Sequence, residues 1–327
     1  MSDPSPSLWV VTYHYVRDLP RTAFPRIRGR LVSELEQQVL WLGERCEMAT
    51  LRSALEFLAG RYQPTRDLCL LTFDDGLKDH YQHVLPILAA RSIQGIFFLS
   101  TACIEHHRVL PVHKNHFLLA KLDFDEYRSA FLDHLAVFST QTPDSADAAR
   151  AQQAYPWDSP DVAAFKFFLN YRLSEELRVR VLDELFVYFL GDESAFSQEL
   201  YLSWNEARTM QEQGMIIGGH SNNHTVLSNL TPTGLKADLA TCASVLRRRL
   251  RRQDLWPFCY PYGHSYSFDA ATIRRLRSLD FVCAFTTVPR PIQPGDDLFT
   301  LPRIDTNDVL TRVPPAVQPK QRICAAS

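Results

Sequence analysis

The stretch Leu68-Cys69-Leu70-Leu71-Thr72-Phe73-Asp74-Asp75-Gly76 decides the fold: a six-residue, mostly apolar run that breaks into two adjacent carboxylates and a glycine. A run this short, bounded by turn residues, reads as a strand buried on both faces. Such strands belong to parallel sheets covered by helices, so strand and helix should alternate on either side. Upstream, Leu8 to Val16 carries Trp9, Val10, Val11, Tyr13 and Tyr15, which suit a strand, and Leu31, Leu35, Val39 and Leu42 then recur at helical spacing. Downstream, Val84, Leu85 and Leu88 carry a helical period, and Ile93 to Leu99 reads as the next strand.

The alternation lapses from Glu105 to about Glu199, where helical segments are expected without a strand. The clearest of them opens at the N-cap Ser174, has Glu175 and Glu176 in its first turn, presents Leu177, Val181, Leu185 and Phe189 on one face and stops at Gly191. Thr140 to Pro160, rich in Ser, Ala, Asp, Gln and Pro, reads as a mobile loop. Alternation resumes at a capping box, Ser203-Trp204-Asn205-Glu206, on a helix that Gly214 can close. Met215 to Gly219 is then a strand that delivers His220. Thr231 and Pro232 open a helix lined by Leu235, Leu239, Cys242 and Leu246. Phe258 to Tyr260, Phe281 to Thr287 and Leu298 to Ile304 read as strands, with a helix over Ala270 to Leu279. The tail at about 313–327 is irregular.

Composition narrows the function classes. With 327 residues, 46% of them hydrophobic and 22% charged, the chain is neither disordered nor fibrous. Its 35 basic and 37 acidic residues nearly cancel, so no global field draws it to nucleic acid or an anionic membrane. Seven cysteines without C-x-x-C spacing argue for reduced thiols rather than a disulfide framework or a cysteine zinc cage. No apolar run reaches the roughly 18 residues that span a bilayer. Met1 to Leu8 offers no basic region followed by an apolar core, and the expectation is a soluble, cytoplasmic protein.

In a parallel β/α architecture, chemistry gathers at the carboxyl ends of strands, where the loops share one mouth. Three polar clusters occupy such ends. Asp74-Asp75-Gly76 follows the deciding strand; on its own it also fits a helix cap or turn. His220-Ser221-Asn222-Asn223-His224 puts two imidazoles four residues apart, which suits a shared cation or an ordinary surface turn. Tyr260-Pro261-Tyr262-Gly263 is a rigid aromatic turn. Two histidine groups stand outside these clusters. His14 and His264 each follow a strand or turn that faces the mouth, whereas His106, His107, His113 and His116 open the helical region without a complementary carboxylate cluster and read as loop or lid residues. Arg247, Arg248, Arg249, Arg251 and Arg252 read as a solvated helix end.

Taken in order, the three clusters resemble the motifs of the polysaccharide deacetylases, the NodB-homology or carbohydrate esterase 4 family. Thr72-Phe73-Asp74-Asp75-Gly76 is similar to the first motif, His220 to His224 to the H-S/T-x-x-H motif, and Tyr260 to Gly263 to the third. The resemblance covers Leu8 to Ser100 and Tyr201 to about Asp308. It implies an α/β fold, a distorted (β/α) barrel. It also implies that Asp75, His220 and His224 bind one divalent cation, usually zinc, that Asp74 is the general base, and that the backbone N–H of Tyr262 stabilises the oxyanion. Two departures stand out. Cys259 occupies the neighbourhood of the family's third-motif Arg, for which Arg303 is the candidate replacement. The late Leu-x-His motif that supplies the general acid is missing, which leaves His14 and His264 as candidate acids.

These features imply one catalytic barrel over 1–327 with a helical insertion at about 105–199. The expected reaction is metal-dependent removal of an N-acetyl group from an amino sugar, with release of acetate. The lack of an export signal in the sequence turns the expected substrate toward a free or nucleotide-linked sugar over an extracellular glycan. Other readings are hydrolysis of another C–N bond, such as a formamide or cyclic ureide, or a catalytically weakened carbohydrate-binding protein.

Overall fold

A computed structural model of the chain describes residues 5–314. The sequence readings for Met1 to Pro4, Cys324 and most of the expected tail lie outside these residues. Eight parallel strands form one curled sheet: β1 (Leu8–Tyr13), β2 (Glu47–Met48), β3 (Leu68–Phe73), β4 (Gly95–Leu99), β5 (Ile216–Gly219), β6 (Pro257–Cys259), β7 (Cys283–Phe285) and β8 (Ile304–Asp305). Their order is β7-β6-β5-β4-β3-β1-β8, and the short β2 joins the lower half of β3. A Phe285–Leu301 bridge links β7 to the segment that enters β8, and β8 pairs with β1, so the sheet curls round as a distorted (β/α) barrel. The expected strand over Leu298 to Ile304 is cut down to β8 because Pro302 has no N–H to continue a ladder.

Side-chain parity assigns each strand face. Trp9, Val11, Tyr13, Cys69, Leu71, Phe73, Phe97 and Leu99 point outward into the helical layer, where they meet Leu35, Val39 and Leu42 of the helix Val32–Arg45. Leu8, Val10, Leu68, Leu70, Ile96 and Phe98 point inward with Cys259, Cys283 and Phe285, and the helix Leu51–Leu58 packs against this inner cluster. The six described cysteines are free and buried. Gly218 lets β5 lie close to its neighbours, since a Cβ there would sit 2.6 Å from the Phe98 ring and 2.7 Å from the Pro257 carbonyl.

Between β4 and β5 lie helices and no strand among the described residues. Ser174 caps the helix Glu175–Leu190 by accepting from Leu177 N–H, and Gly191 ends it at φ +88°. The Ser203 capping box and the Thr231 cap likewise form as the sequence suggests. Thr140 to Pro160 departs from the loop reading: it contains the helix Ala148–Ala154, anchored by buried Ala151. No helix among the described residues is long and apolar enough to cross a membrane.

Candidate active site

Inward parity continues one residue past β3, so Asp74 follows Leu70 and Thr72 into the barrel mouth. There it is buried against Arg303, whose guanidinium donates to both carboxylate oxygens at 2.8 and 2.7 Å. Arg303 also donates to Thr72 Oγ1 at 3.0 Å and contacts Cys259 Sγ at 3.0 Å. A small side chain at position 259 thus leaves room for an arginine that arrives from the opposite end of the sequence. Burial alone would raise the pKa of Asp74, but Arg303 outweighs it and holds the carboxyl well below the ordinary range. Asp74 is therefore ionised at neutral pH.

Asp75 has the opposite parity and would face the helices if the strand merely continued. Its backbone turns left-handed instead, φ +76°, and Gly76 follows at +65°. The turn brings Asp75 Oδ1 to 3.4 Å from His220 Nε2 and 3.2 Å from His224 Nε2. His220 Nδ1 donates to the Cys259 carbonyl at 2.8 Å, which fixes Nε2 as the atom that faces Asp75. The His220 to His224 turn is itself shaped by Asp238, which accepts from the N–H groups of Asn222 and Asn223 at 2.9 and 3.1 Å.

This trio fits a cation. Asp75 Oδ1 is buried yet accepts no hydrogen bond among the described residues, although two imidazole nitrogens lie within 3.4 Å, so the three groups converge on a common space rather than on one another. Metal–ligand bonds of ~2.0–2.2 Å in a tetrahedron place ligand atoms roughly 3.3–3.6 Å apart, which agrees with the observed spacing. Burial would raise the pKa of Asp75, but the surrounding histidines hold it well below the ordinary range. Burial pushes His224 down to about 4, which favours the neutral, ligating form. Burial also opposes a charge on His220, but Cys259, Asp75 and Asp74 outweigh it and raise the imidazole well above its ordinary pKa. A proton there is what a cation would displace.

The remaining candidates separate. His14 extends from the end of β1 with Nε2 3.9 Å from Asp74 Oδ2 and its side chain 46% exposed, so it is at the site and reachable from solvent. His264 stacks its ring on Tyr266 at 5.1 Å and forms no hydrogen bond or ion pair with Asp74, Asp75, His220 or His224. Tyr262 sits at φ +64° with its ring 5.2 Å from that of His224, and its backbone N–H has no hydrogen-bond partner among the described residues.

Sequence reasoning missed His113. This residue is no loop or lid side chain: it lies on the helix Pro111–Lys121, fully buried, with Nε2 3.0 Å from Asp75 Oδ2 and Nδ1 2.6 Å from the Tyr201 hydroxyl. Arg178, on the helix Glu175–Leu190, was also missed; its Nη1 lies 3.3 Å from Asn170 Oδ1 and 3.5 Å from the Tyr262 hydroxyl. No local pattern in the sequence marks either one.

The fold and the pocket together define a class: (β/α)-barrel proteins with an ionised carboxylate beside an Asp-His-His trio at the barrel mouth. The model of the polysaccharide deacetylase family matches residues 61–151 and 161–284, more than half of the chain, and the protein belongs to that family. It is accordingly a carbohydrate deacetylase by family, and the matched region ends before Arg303. The deacetylase PplD of Streptococcus pyogenes, solved in complex with acetate, shares the fold at TM-score 0.59 and 14% identity over 95% of this chain and 100% of that one. IcaB from Ammonifex degensii gives 0.54 and 18% over 93% and 94%, and the BpsB deacetylase domain from Bordetella bronchiseptica 0.53 and 17% over 93% and 97%. No curated protein matches the sequence.

Proposed function

We propose that the chain is a metal-dependent N-deacetylase of an N-acetylated amino sugar, a single catalytic barrel in which residues 105–199 are an insertion. One observation carries the reading: an arginine-held, ionised Asp74 stands directly beside the Asp75, His220 and His224 trio. In this reading the trio holds a divalent cation, zinc by its one-carboxylate, two-imidazole donor set, and that ion when bound supplies polarisation of the acetamide carbonyl and acidification of water. Asp74 takes the proton of the water that adds to the carbonyl carbon, and Arg303 keeps it oriented and ionised. The unpartnered N–H of Tyr262 donates to the oxygen that gains charge as the carbon becomes tetrahedral. When the C–N bond breaks, the amine nitrogen takes a proton from His14, whose exposed ring beside Asp74 suits that task better than His264, whose ring stacks on Tyr266.

The test is acetate release from a panel of N-acetylglucosamine saccharides and nucleotide sugars by chelator-stripped enzyme, with and without added Zn²⁺ or Co²⁺. Expected is turnover only with the ion, abolished by Asp74→Asn. Formate or ammonia release from formamides or cyclic ureides would move the reading to another C–N bond. Saccharide binding with no turnover under any divalent ion would replace it with a binding protein.

A further inference from the structure

We propose that His113 and Tyr201, both contributed by the helical region between β4 and β5, form a positioning pair that locks the carboxylate of Asp75 in its cation-binding orientation. The proposal rests on the metal-centre reading above.

A carboxylate oxygen only accepts, so His113 Nε2 carries a proton, and with a neutral ring the hydrogen-bond chain runs in one direction. Leu110 N–H donates to the Tyr201 hydroxyl oxygen at 3.0 Å, and the hydroxyl's own hydrogen goes to the unprotonated Nδ1 of the neutral His113 ring, 2.6 Å away. With Nδ1 accepting, the proton of the neutral ring sits on Nε2 and is donated to Asp75 Oδ2 at 3.0 Å. Asp75 therefore has two unlike oxygens: Oδ2 is held by His113, whereas Oδ1 is left without a hydrogen bond among the described residues and faces His220 and His224. This division argues that His113 is not a fourth ligand, since both of its nitrogens are occupied on the far side of the carboxylate.

The support behind the pair is rigid. Tyr201 bridges Leu77, and Leu202 N–H donates to the Gly76 carbonyl at 2.9 Å, which ties the segment just after the insertion to the turn that carries Asp75. Lys114, next to His113 and also buried, pairs with Asp183 at 2.5 Å on the helix Glu175–Leu190 and with Glu193 at 2.8 Å on the helix Glu193–Leu200. Glu193 also accepts from Val109 N–H at 2.8 Å. Asp75 sits on a left-handed backbone, which persists only where its surroundings hold it. Groups that orient a ligating carboxylate typically contribute 10–100-fold to ion affinity.

The experiment is titration of the chelator-stripped full chain with Co²⁺, which gives both a dissociation constant and a visible spectrum that reports coordination geometry. Wild type, His113→Ala, His113→Gln and Tyr201→Phe are compared, with melting of the ion-free proteins as the folding control. Expected is binding weakened about 10–100-fold and an altered spectrum in His113→Ala. His113→Gln should recover much of the affinity, because its amide N–H reaches Oδ2. Tyr201→Phe, which removes one oxygen atom, should fall between wild type and His113→Ala and keeps the test open should the alanine variant fail to fold. Wild-type affinity and spectrum in folded His113→Ala or Tyr201→Phe would overturn this proposal alone. Absence of Co²⁺ binding by the wild type would overturn the metal-centre reading and this proposal with it.

Discussion

Replacing Arg303 by alanine should injure stability and catalysis in a linked, measurable way. In the native protein Asp74 is 2% exposed and takes two charge-assisted hydrogen bonds from Arg303; its other partners among the described residues are Thr12 Oγ1 at 3.3 Å, Cys259 Sγ at 3.6 Å and His14 Nε2 at 3.9 Å. Removing one member of a buried ion pair strands the other charge and costs about 3–5 kcal/mol. Unfolding entropy of ~2.1 cal/mol/K per residue gives roughly 0.7 kcal/mol/K for 327 residues, so the melting temperature should fall by about 4–7 °C. The pH dependence carries the mechanism. The depressed pKa of Asp74 means that its ionised form stabilises the native state above the ordinary carboxylate pKa near 3.9, and that this contribution is lost as pH falls through the folded value. Without Arg303, burial is left as the main influence and raises the pKa, so the variant loses stability as pH rises through the carboxylate range. The proposed base then stays protonated over part of the working range. Thermal melts and the pH profile of kcat/KM for acetate release are the assays. An acid limb displaced to higher pH is expected in Arg303→Ala, with Arg303→Lys intermediate. A melt within about 1 °C of wild type together with an unmoved acid limb would refute the coupling between Arg303 and Asp74.

Two further outcomes follow from the same geometry. A general acid typically contributes ~10²–10⁴-fold, so His14→Ala should lower kcat for amide substrates by at least about a hundredfold while His264→Ala stays near wild type, and the reverse order would move the acid to the aromatic turn. Burial raises the pKa of Asp238 to about 6 despite the N–H donors of Asn222 and Asn223. A raised carboxylate pKa means that the native state binds the proton more tightly, so this group removes stability as pH rises from about 4 through 6, by up to ~3 kcal/mol. The urea midpoint of wild type relative to Asp238→Asn should fall across that interval, and parallel midpoints would show that Asp238 does not titrate there.

Much of the barrel was legible because burial on both faces leaves a direct trace in the residues. Leu68–Phe73 forms as read, the caps at Ser174, Ser203 and Thr231 form as read, and each of the three polar clusters lies at a strand end. What escaped has physical causes. β2 is two residues long and has no periodicity to detect. Ala148–Ala154 was hidden by the polar composition around it, although its Ala, Arg and Gln residues favour helix. Arg303 could be suggested from the sequence, because a lone arginine near the last strand stood opposite a cysteine in the third motif, but only packing decides between Asp74 and a surface partner. His113 offered no such clue. One histidine among several near the start of a helical stretch looks the same whether its ring meets solvent or a carboxylate 38 positions earlier.

The residues that defeat simple strand parity are those at the proposed reaction centre. Of seven non-glycine residues with positive φ among the described residues, four are Asp75, Ser221, His224 and Tyr262, one or two from each motif turn. Each such backbone costs on the order of 1–3 kcal/mol and persists only where its surroundings over-determine it. The determinants are visible: Asp238 holds the N–H groups inside the histidine turn, Ser221 Oγ accepts from His224 N–H at 2.9 Å, and Thr287 donates to the carbonyls of Tyr262 and Gly263 at 3.3 and 3.0 Å. A relaxed strand end would send Asp75 outward beside Phe73, away from His220 and His224. The left-handed turn instead puts two sequence-adjacent carboxylates into one pocket with different partners, Arg303 for Asp74 and histidines for Asp75. The difference in partners makes a division of labour between base and ligand possible, and it arises from one strained residue rather than from any difference between the two side chains.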